Sequence, residues 1–189
     1  MEYICVFGSS SEQIDPAYLR EAEQLGQLLV QKGCGVVYGA GRYGVMGAVA
    51  RGVRAEKGAL LGISPDFFVQ LNVLVEDYGE LVLTPTMRER KALMEEKADA
   101  FVICAGGIGT LEEFFEVITL KQLGRHQKPI IVLNTRGFYD PMISMMEQSV
   151  AQGFMSEKVH KLYTVAHSPE EVWEQLEHYQ AFSYNKYGG

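Results

Sequence analysis

The residues best suited to chemistry fall in two short stretches, 87–91 and 106–116. In the second, Gly106, Gly107 and Gly109 precede Thr110, and Glu112, Glu113 and Glu116 follow. Glycines let backbone N–H groups approach an anion without Cβ obstruction, and the positive end of a following helix adds to them. A phosphate is the natural guest. A tight strand-to-helix turn that binds nothing is the simpler alternative, but this glycine density followed by a hydroxyl favours the phosphate.

The first stretch, Met87-Arg88-Glu89-Arg90-Lys91, is the main basic concentration in an acidic chain. On a helix Arg88 lies one turn from Lys91, whereas Arg90 shares a stripe with Met87, Leu93, Met94 and Lys97. A solvated charged face is the ordinary reading of such a run. Cations are disfavoured at a helix N-terminus, however, so their presence there points to an anionic partner. The carboxylates of 112–116 would be repelled by a bound phosphate, and Arg90 or Lys91 is the candidate to relieve that conflict. A carboxylate held by an arginine is able to take a proton from water or to stabilise a nearby cation.

A second glycine loop, Gly39-Ala40-Gly41-Arg42-Tyr43-Gly44, spells G-x-G-x-x-G between a strand and a helix. That is the dinucleotide fingerprint, with Asp66 near the place of its acidic partner and Arg42 available to a phosphate. A close strand–helix crossing that requires small residues explains the same glycines equally well. Spacing alone thus gives an anion site and a carboxylate without naming a reaction.

The elements that must position these residues follow from apolar pattern and punctuation. Short buried strands are expected at Tyr3–Phe7, Val36–Tyr38, Ala59–Ser64, Glu80–Thr84, Ala100–Cys104, Pro129–Leu133 and Leu162–Ala166. Helices are expected from Asp15-Pro16 to Gly33, from Gly44 to about Glu56, from the Thr86/Glu89 capping box, from Thr110 to Leu123, over Asp140–Gln152, and from Ser168-Pro169 to about Phe182. Pro65–Gly79 has no sustained period and reads as a loop or short helix near the site. The alternation, with strands apolar on both faces, predicts an α/β, Rossmann-like, doubly wound open parallel sheet in one domain, residues 1–182, with a flexible tail at 183–189. Ligands of such folds sit beyond the carboxyl ends of the strands, where the loops after Phe7, Tyr38, Ser64, Thr84 and Cys104 meet.

A length of 189 residues suits one ordinary domain, and a formal charge of −7 argues against a nucleic-acid polymer or an anionic membrane as partner. Cys5, Cys34 and Cys104 lie in or beside buried strands and read as small core residues of a reducing, cytoplasmic protein. His126, His160, His167 and His178 show no zinc-ligand spacing.

Taken together, the two stretches resemble the Lonely Guy (LOG) family of phosphoribohydrolases, long mislabelled as lysine decarboxylases. Its paired motifs, P-G-G-x-G-T-x-x-E and M-H-x-R-K, appear here as Ala105–Glu113 and Met87–Lys91. The likeness extends over nearly the whole chain, through Val6–Ser10, Val37–Gly47, Glu116–Gly124 and Gly137–Asp140. The resemblance implies hydrolysis of the N-glycosidic bond of a nucleoside 5′-monophosphate, AMP or an N6-substituted cytokinin derivative, to free base and ribose 5-phosphate. It also implies a homodimer with its active sites near the subunit interface, and neither metal nor cofactor.

Carried over by position, the catalytic pair is Arg90 and Glu113. Lys91, Gly107, Gly109, Thr110, Glu112 and Thr119 would contact substrate, and the matched segments add Met87, Arg88, Gly106, Gly8, Ser9, Gly39 and Gly41 as binding candidates. Four departures bear on substrate preference. Ala105 replaces the motif's proline, Arg88 its histidine, and Ala40 a usual glycine. An acidic contact expected before the 87–91 segment has no clear counterpart, Asn72 and Glu76 being the nearest candidates. A non-catalytic nucleotide-binding protein of the same fold is the alternative expectation.

Overall fold

In a computed structural model that describes residues 1–75 and 77–182, seven strands form one parallel sheet. They are β1 (Tyr3–Phe7), β2 (Gly35–Tyr38), β3 (Leu60–Pro65), β4 (Glu80–Thr84), β5 (Ala100–Ile103), β6 (Ile130–Leu133) and β7 (Thr164–Ala166). The helices are α1 (Pro16–Gln31), α2 (Gly44–Ala55), α3 (Met87–Lys97), α4 (Ile108–Gln122), α5 (Asp140–Ala151) and α6 (Pro169–Glu177). Strand order is β4-β3-β2-β1-β5-β6-β7, so the winding reverses between β1 and β5. The expected doubly wound α/β sheet is what the chain adopts.

Side chains alternate across the sheet, and both faces are covered. Ile4, Val6, Val36, Tyr38, Val102 and Leu133 pack toward α1, α2 and α6. Cys5, Phe7, Val37, Ile63, Phe101 and Val132 pack toward α3, α4 and α5, against Met94, Phe114, Val117 and Met146. Burial on both faces is why these strands read as continuous apolar runs. All three cysteines are buried free thiols, and no helix among the described residues is long and apolar enough to cross a membrane.

Side-chain caps set the starts of α1, α3 and α6. Asp15 accepts from the Ala17 N–H at 2.8 Å ahead of Pro16, Thr86 from Glu89 at 3.2 Å, and Ser168 from Glu171 at 3.2 Å; each satisfies an N–H that the helix itself cannot. Two expected boundaries move. α4 begins at Ile108, with Gly107 as its cap, so Gly109 and Thr110 lie inside its first turn. α6 stops at Glu177 instead of about Phe182, because the His178 ring engages the Glu174 carbonyl and Tyr179 reaches across to the Gln127 carbonyl. The aperiodic 65–79 segment contains a 3₁₀ turn, Asp66–Leu71. Expectations for Glu76 and for the 183–189 tail lie outside the described residues.

Candidate active site

The loops after β1 and β5 meet where the winding reverses, and Ser9 N–H donates to the Ala105 carbonyl at 3.1 Å across that crevice. Such a switch point is where an open α/β sheet leaves room for a ligand. A cavity of about 510 Å³ opens there, walled by the Gly8–Ser11 loop, Gly39 and Gly41, Met87 and Arg90, and the Gly107–Thr110 turn with Glu113.

At one wall stands the N-terminus of α4. Gly107 offers no side-chain cap, so the first N–H groups of the helix have no internal partner and face outward with the positive end of the dipole. Gly107 and Gly109 are exposed, and a Cβ on either would meet nothing within 4 Å. Thr110 by contrast is buried. Gly106 sits behind the turn: a Cβ there would fall 2.1 Å from Thr110 Oγ1. It shapes the loop and does not line the cavity.

Opposite that turn, α3 and α4 are tied by three ion pairs. Arg90 Nη1 donates to Glu113 Oε1 at 2.7 Å, and both residues are only 8% exposed. Arg90 Nε also donates to the Ile63 carbonyl at 3.2 Å. Its guanidinium passes so close over Gly39 that a Cβ there would be 2.3 Å from Nη2. Burial pushes the Glu113 carboxyl above the usual carboxylate range, and the charge and hydrogen bond of Arg90 work against that rise. Such a carboxylate is better matched to proton transfer near neutrality than an exposed one.

Lys91 faces the other way, away from the cavity. Its Nζ bonds Glu112, and Glu116 Oε2 at 2.6 Å. Burial pulls the Lys91 ammonium down, and these two carboxylates more than reverse it. Both basic residues anticipated as partners for the α4 carboxylates therefore serve, Arg90 for Glu113 and Lys91 for Glu112 and Glu116.

The cavity brings together Gly8, Ser9, Gly39, Gly41, Met87, Arg90, Gly107, Gly109, Thr110 and Glu113. Within this chain Arg88, Lys91, Gly106, Glu112 and Thr119 do not line it. Arg88 and Thr119 are exposed, and Arg88 has no carboxylate partner among the described residues. Arg42 is spent elsewhere, donating from Nε and Nη2 to the Leu74 carbonyl at 2.9 and 2.6 Å. Asp66 is exposed at the start of the 3₁₀ turn. Gly44, with φ +60, lets the Ser9–Ser11 backbone pack against the start of α2, where a Cβ would fall 2.5 Å from the Ser9 carbonyl. The second glycine loop thus acts as a close crossing that also floors the cavity.

Sequence reasoning missed the apolar half of the wall: Met46, Phe68, Leu71, Val73 and Leu74, with Tyr43 and Ser64. Most of it comes from the aperiodic 65–79 segment. An antiparallel bridge between Gly41 and Leu74 holds that segment in place, with Arg42 N–H donating to the Val73 carbonyl and Val75 N–H to the Ala40 carbonyl, each at 2.9 Å. The result is a site with an amide-rich end, an arginine–carboxylate pair and an apolar side.

Comparison with known proteins fits this arrangement. A family model described as possible lysine decarboxylase matches residues 46–176. The chain is 39% identical over 177 residues to the cytokinin riboside 5'-monophosphate phosphoribohydrolase LOG7 of Arabidopsis thaliana, covering 94% of this chain and 82% of that one. It is 40% identical over 176 residues to the corresponding LOG enzyme of Oryza sativa subsp. japonica, covering 93% and 73%. Among solved structures, the molybdenum cofactor binding protein of Rippkaea orientalis superposes with a TM-score of 0.72 at 25% identity, over 93% of this chain and 95% of that one. Sequence likeness on this scale, spanning the amide turn and the Arg90–Glu113 pair alike, places the chain in the possible-lysine-decarboxylase family, that of the LOG proteins.

Proposed function

We propose that this protein hydrolyses the N-glycosidic bond of nucleoside 5′-monophosphates, AMP or its N6-substituted derivatives, releasing free base and ribose 5-phosphate. The observation that carries the reading is the buried Arg90–Glu113 pair, 2.7 Å apart, on the wall of a cavity whose other end is a bare helix N-terminus.

The 5′-phosphate sits on the N–H groups of the Gly107–Thr110 turn, remote from the reacting bond, and its binding energy positions the sugar. As the C1′–N bond breaks, its electron pair leaves with the base and positive charge develops on the ribose ring, as in glycoside hydrolysis. Ionised Glu113 stabilises that charge and takes a proton from the water whose oxygen bonds to C1′. The departing base nitrogen takes a proton from solvent, matched by the one Glu113 takes from the attacking water and afterwards returns to solvent, so the products are the neutral base and the sugar phosphate. Arg90 holds Glu113 in place and, by charge and hydrogen bond, opposes the rise that burial imposes on its carboxyl. The base lies against the apolar side formed by Met46, Phe68 and Leu74.

The relatives' names supply the substrate class. A homodimer belongs to the same reading. Ile108 is 88% and Met87 40% exposed beside the cavity mouth, and Arg88 and Thr119 lie exposed outside it. A second copy seated on α3 and α4 cover these side chains and bring Arg88 and Thr119 toward a site. Static light scattering tests the dimer.

Base release from AMP, GMP, CMP and N6-isopentenyl-AMP, followed chromatographically, tests the reaction, with Glu113→Gln abolishing it while the fold persists. Full activity in that variant removes Glu113 from the mechanism. Binding without turnover is the second reading, favoured by Ala105 in the motif and by the likeness to a cofactor-binding protein. AMP binding with no release from any of the four substrates establishes it.

A further inference from the structure

On the opposite edge of the sheet from the Arg90–Glu113 site, a second cavity of about 410 Å³ lies at the amino ends of β6 and β7, closed by the end of α6. Lys121, in the last turn of α4, lines it and is only 2% exposed. Its Nζ has no hydrogen-bond acceptor and no carboxylate partner among the described residues; its one partner is the Tyr179 ring, with the centroid 5.1 Å away. A buried ammonium without a counter-ion is costly, and one facing a cavity can recover that cost from an anion placed there.

The rest of the lining agrees. Among the described residues no aspartate or glutamate contributes to it, although the chain carries a formal charge of −7. Two further basic side chains, Lys161 and His178, do contribute. The other walls are apolar or aromatic: Ile130, Leu162, Tyr179 and Phe182. Of the polar groups there, the Tyr179 hydroxyl donates to the Gln127 carbonyl at 2.7 Å and Gln175 Nε2 to the Val165 carbonyl at 2.8 Å. Among the described lining residues Lys121 is the buried charged side chain, its Nζ donating no hydrogen bond, whereas Lys161 is exposed with its ammonium over the Phe182 ring.

We infer that this cavity is a second binding site, for a small organic anion with an apolar or aromatic body, and that Lys121 is its charge partner. The head group meets Nζ in a charge-assisted hydrogen bond, and the body packs on Tyr179 and Phe182. The site is independent of the hydrolytic reading, since it shares no residue with the other cavity.

Protonation of Lys121 is linked to binding. Burial pulls its ammonium down to about 8. The groups facing it are Tyr179 and His178 from the end of α6, Lys161 and Tyr163 from the segment before β7, and His126 from the α4–β6 connection. None carries negative charge near neutrality. An anion binds the ammonium form, so affinity is highest below pH 8 and falls as the pH rises beyond it.

Isothermal calorimetry of the full chain with benzoate, phenyl phosphate and inorganic phosphate tests the site, with benzamide as the uncharged control. Saturable binding of benzoate or phenyl phosphate at pH 7 is expected, weaker by roughly thirtyfold at pH 9.5 from the amine's titration alone, with benzamide silent. Lys121→Met and Lys121→Gln should each weaken it by about tenfold or more, the loss of one charged hydrogen bond, while Lys121→Arg retains binding. Phenyl phosphate binding that survives in both neutral variants would be binding at the other cavity. That result, or no saturable binding by any of the three anions, overturns the inference; binding of inorganic phosphate alone overturns the apolar body.

Discussion

Arg90 donates to Glu113 at 2.7 Å from a position fixed at three other points: the Ile63 carbonyl, the Met87 sulfur and the bare backbone of Gly39. One guanidinium therefore joins β3, the β2–α2 loop and α4 around a buried carboxylate. Neither partner is replaceable by charge alone, because the geometry rests on the planar fork of an arginine.

Arg90→Met leaves Glu113 buried without its counter-charge. Breaking such a pair costs about 3–5 kcal/mol of stability, measurable by urea unfolding. Burial already pushes the Glu113 carboxyl up and Arg90 opposes it, so in the variant the carboxyl rises further. The acid limb of kcat/KM for base release then moves to higher pH. Arg90→Lys keeps the charge but cannot hold Glu113 and Ile63 together, so it should recover stability more than rate.

Much of this arrangement was legible in the chain. The glycines before Thr110 announced the amide turn, and the basic run at 87–91 announced partners for the α4 carboxylates, because local spacing alone fixes which side chains share a helix face. The apolar wall was not legible. Phe68, Val73 and Leu74 have no period, and what seats them is a bridge to Gly41 and the Arg42 side chain on the Leu74 carbonyl, a contact between segments with no sequence signature. Arg42 itself misled for the same reason. Lys121 was invisible too: a lysine in the last turn of a helix is ordinary on the surface, and its burial depends on Tyr179, far along the chain.

Glu95, on α3, is pushed up to about 7 from 4.5 by burial first and by the neighbouring Glu116 carboxylate second. A folded-state value above the unfolded one means that the folded protein holds the extra proton between those two values. The stability this contributes is complete below pH 4.5 and is lost as pH rises through 7. Glu95→Gln removes that dependence. Its unfolding free energy should match wild type at pH 4 and exceed it at pH 8, the difference growing through the window; a constant offset would mean that Glu95 titrates alike in the folded and unfolded chain.

Lys121 gives the mirror case. Burial alone takes its ammonium from 10.5 to about 8, so the unfolded chain holds more protons between those values. The cost to stability is complete below pH 8 and fades as the pH approaches 10.5. Lys121→Met should therefore raise Tm at pH 7, with the gain shrinking above pH 8. The difference remaining near pH 10.5 reports packing of the methionine.

Gly39 and Gly41 occupy one loop and line one cavity, yet they should answer alanine differently. A Cβ at Gly39 falls 2.3 Å from Arg90 Nη2, and Arg90 cannot move off without releasing Ile63 or Glu113. A Cβ at Gly41 falls 2.6 Å from Met46 Cε, the free end of a flexible thioether that swings aside at little cost. Gly39→Ala should lower kcat for base release by about a hundredfold, the scale of misplacing a catalytic group by an ångström, with the fold kept. Gly41→Ala should leave kcat near wild type and act mainly on KM, since only the cavity lining shifts. Equal losses in the two variants would mean that the loop backbone controls the rate, and would remove the placement of Arg90 over Gly39 from its cause.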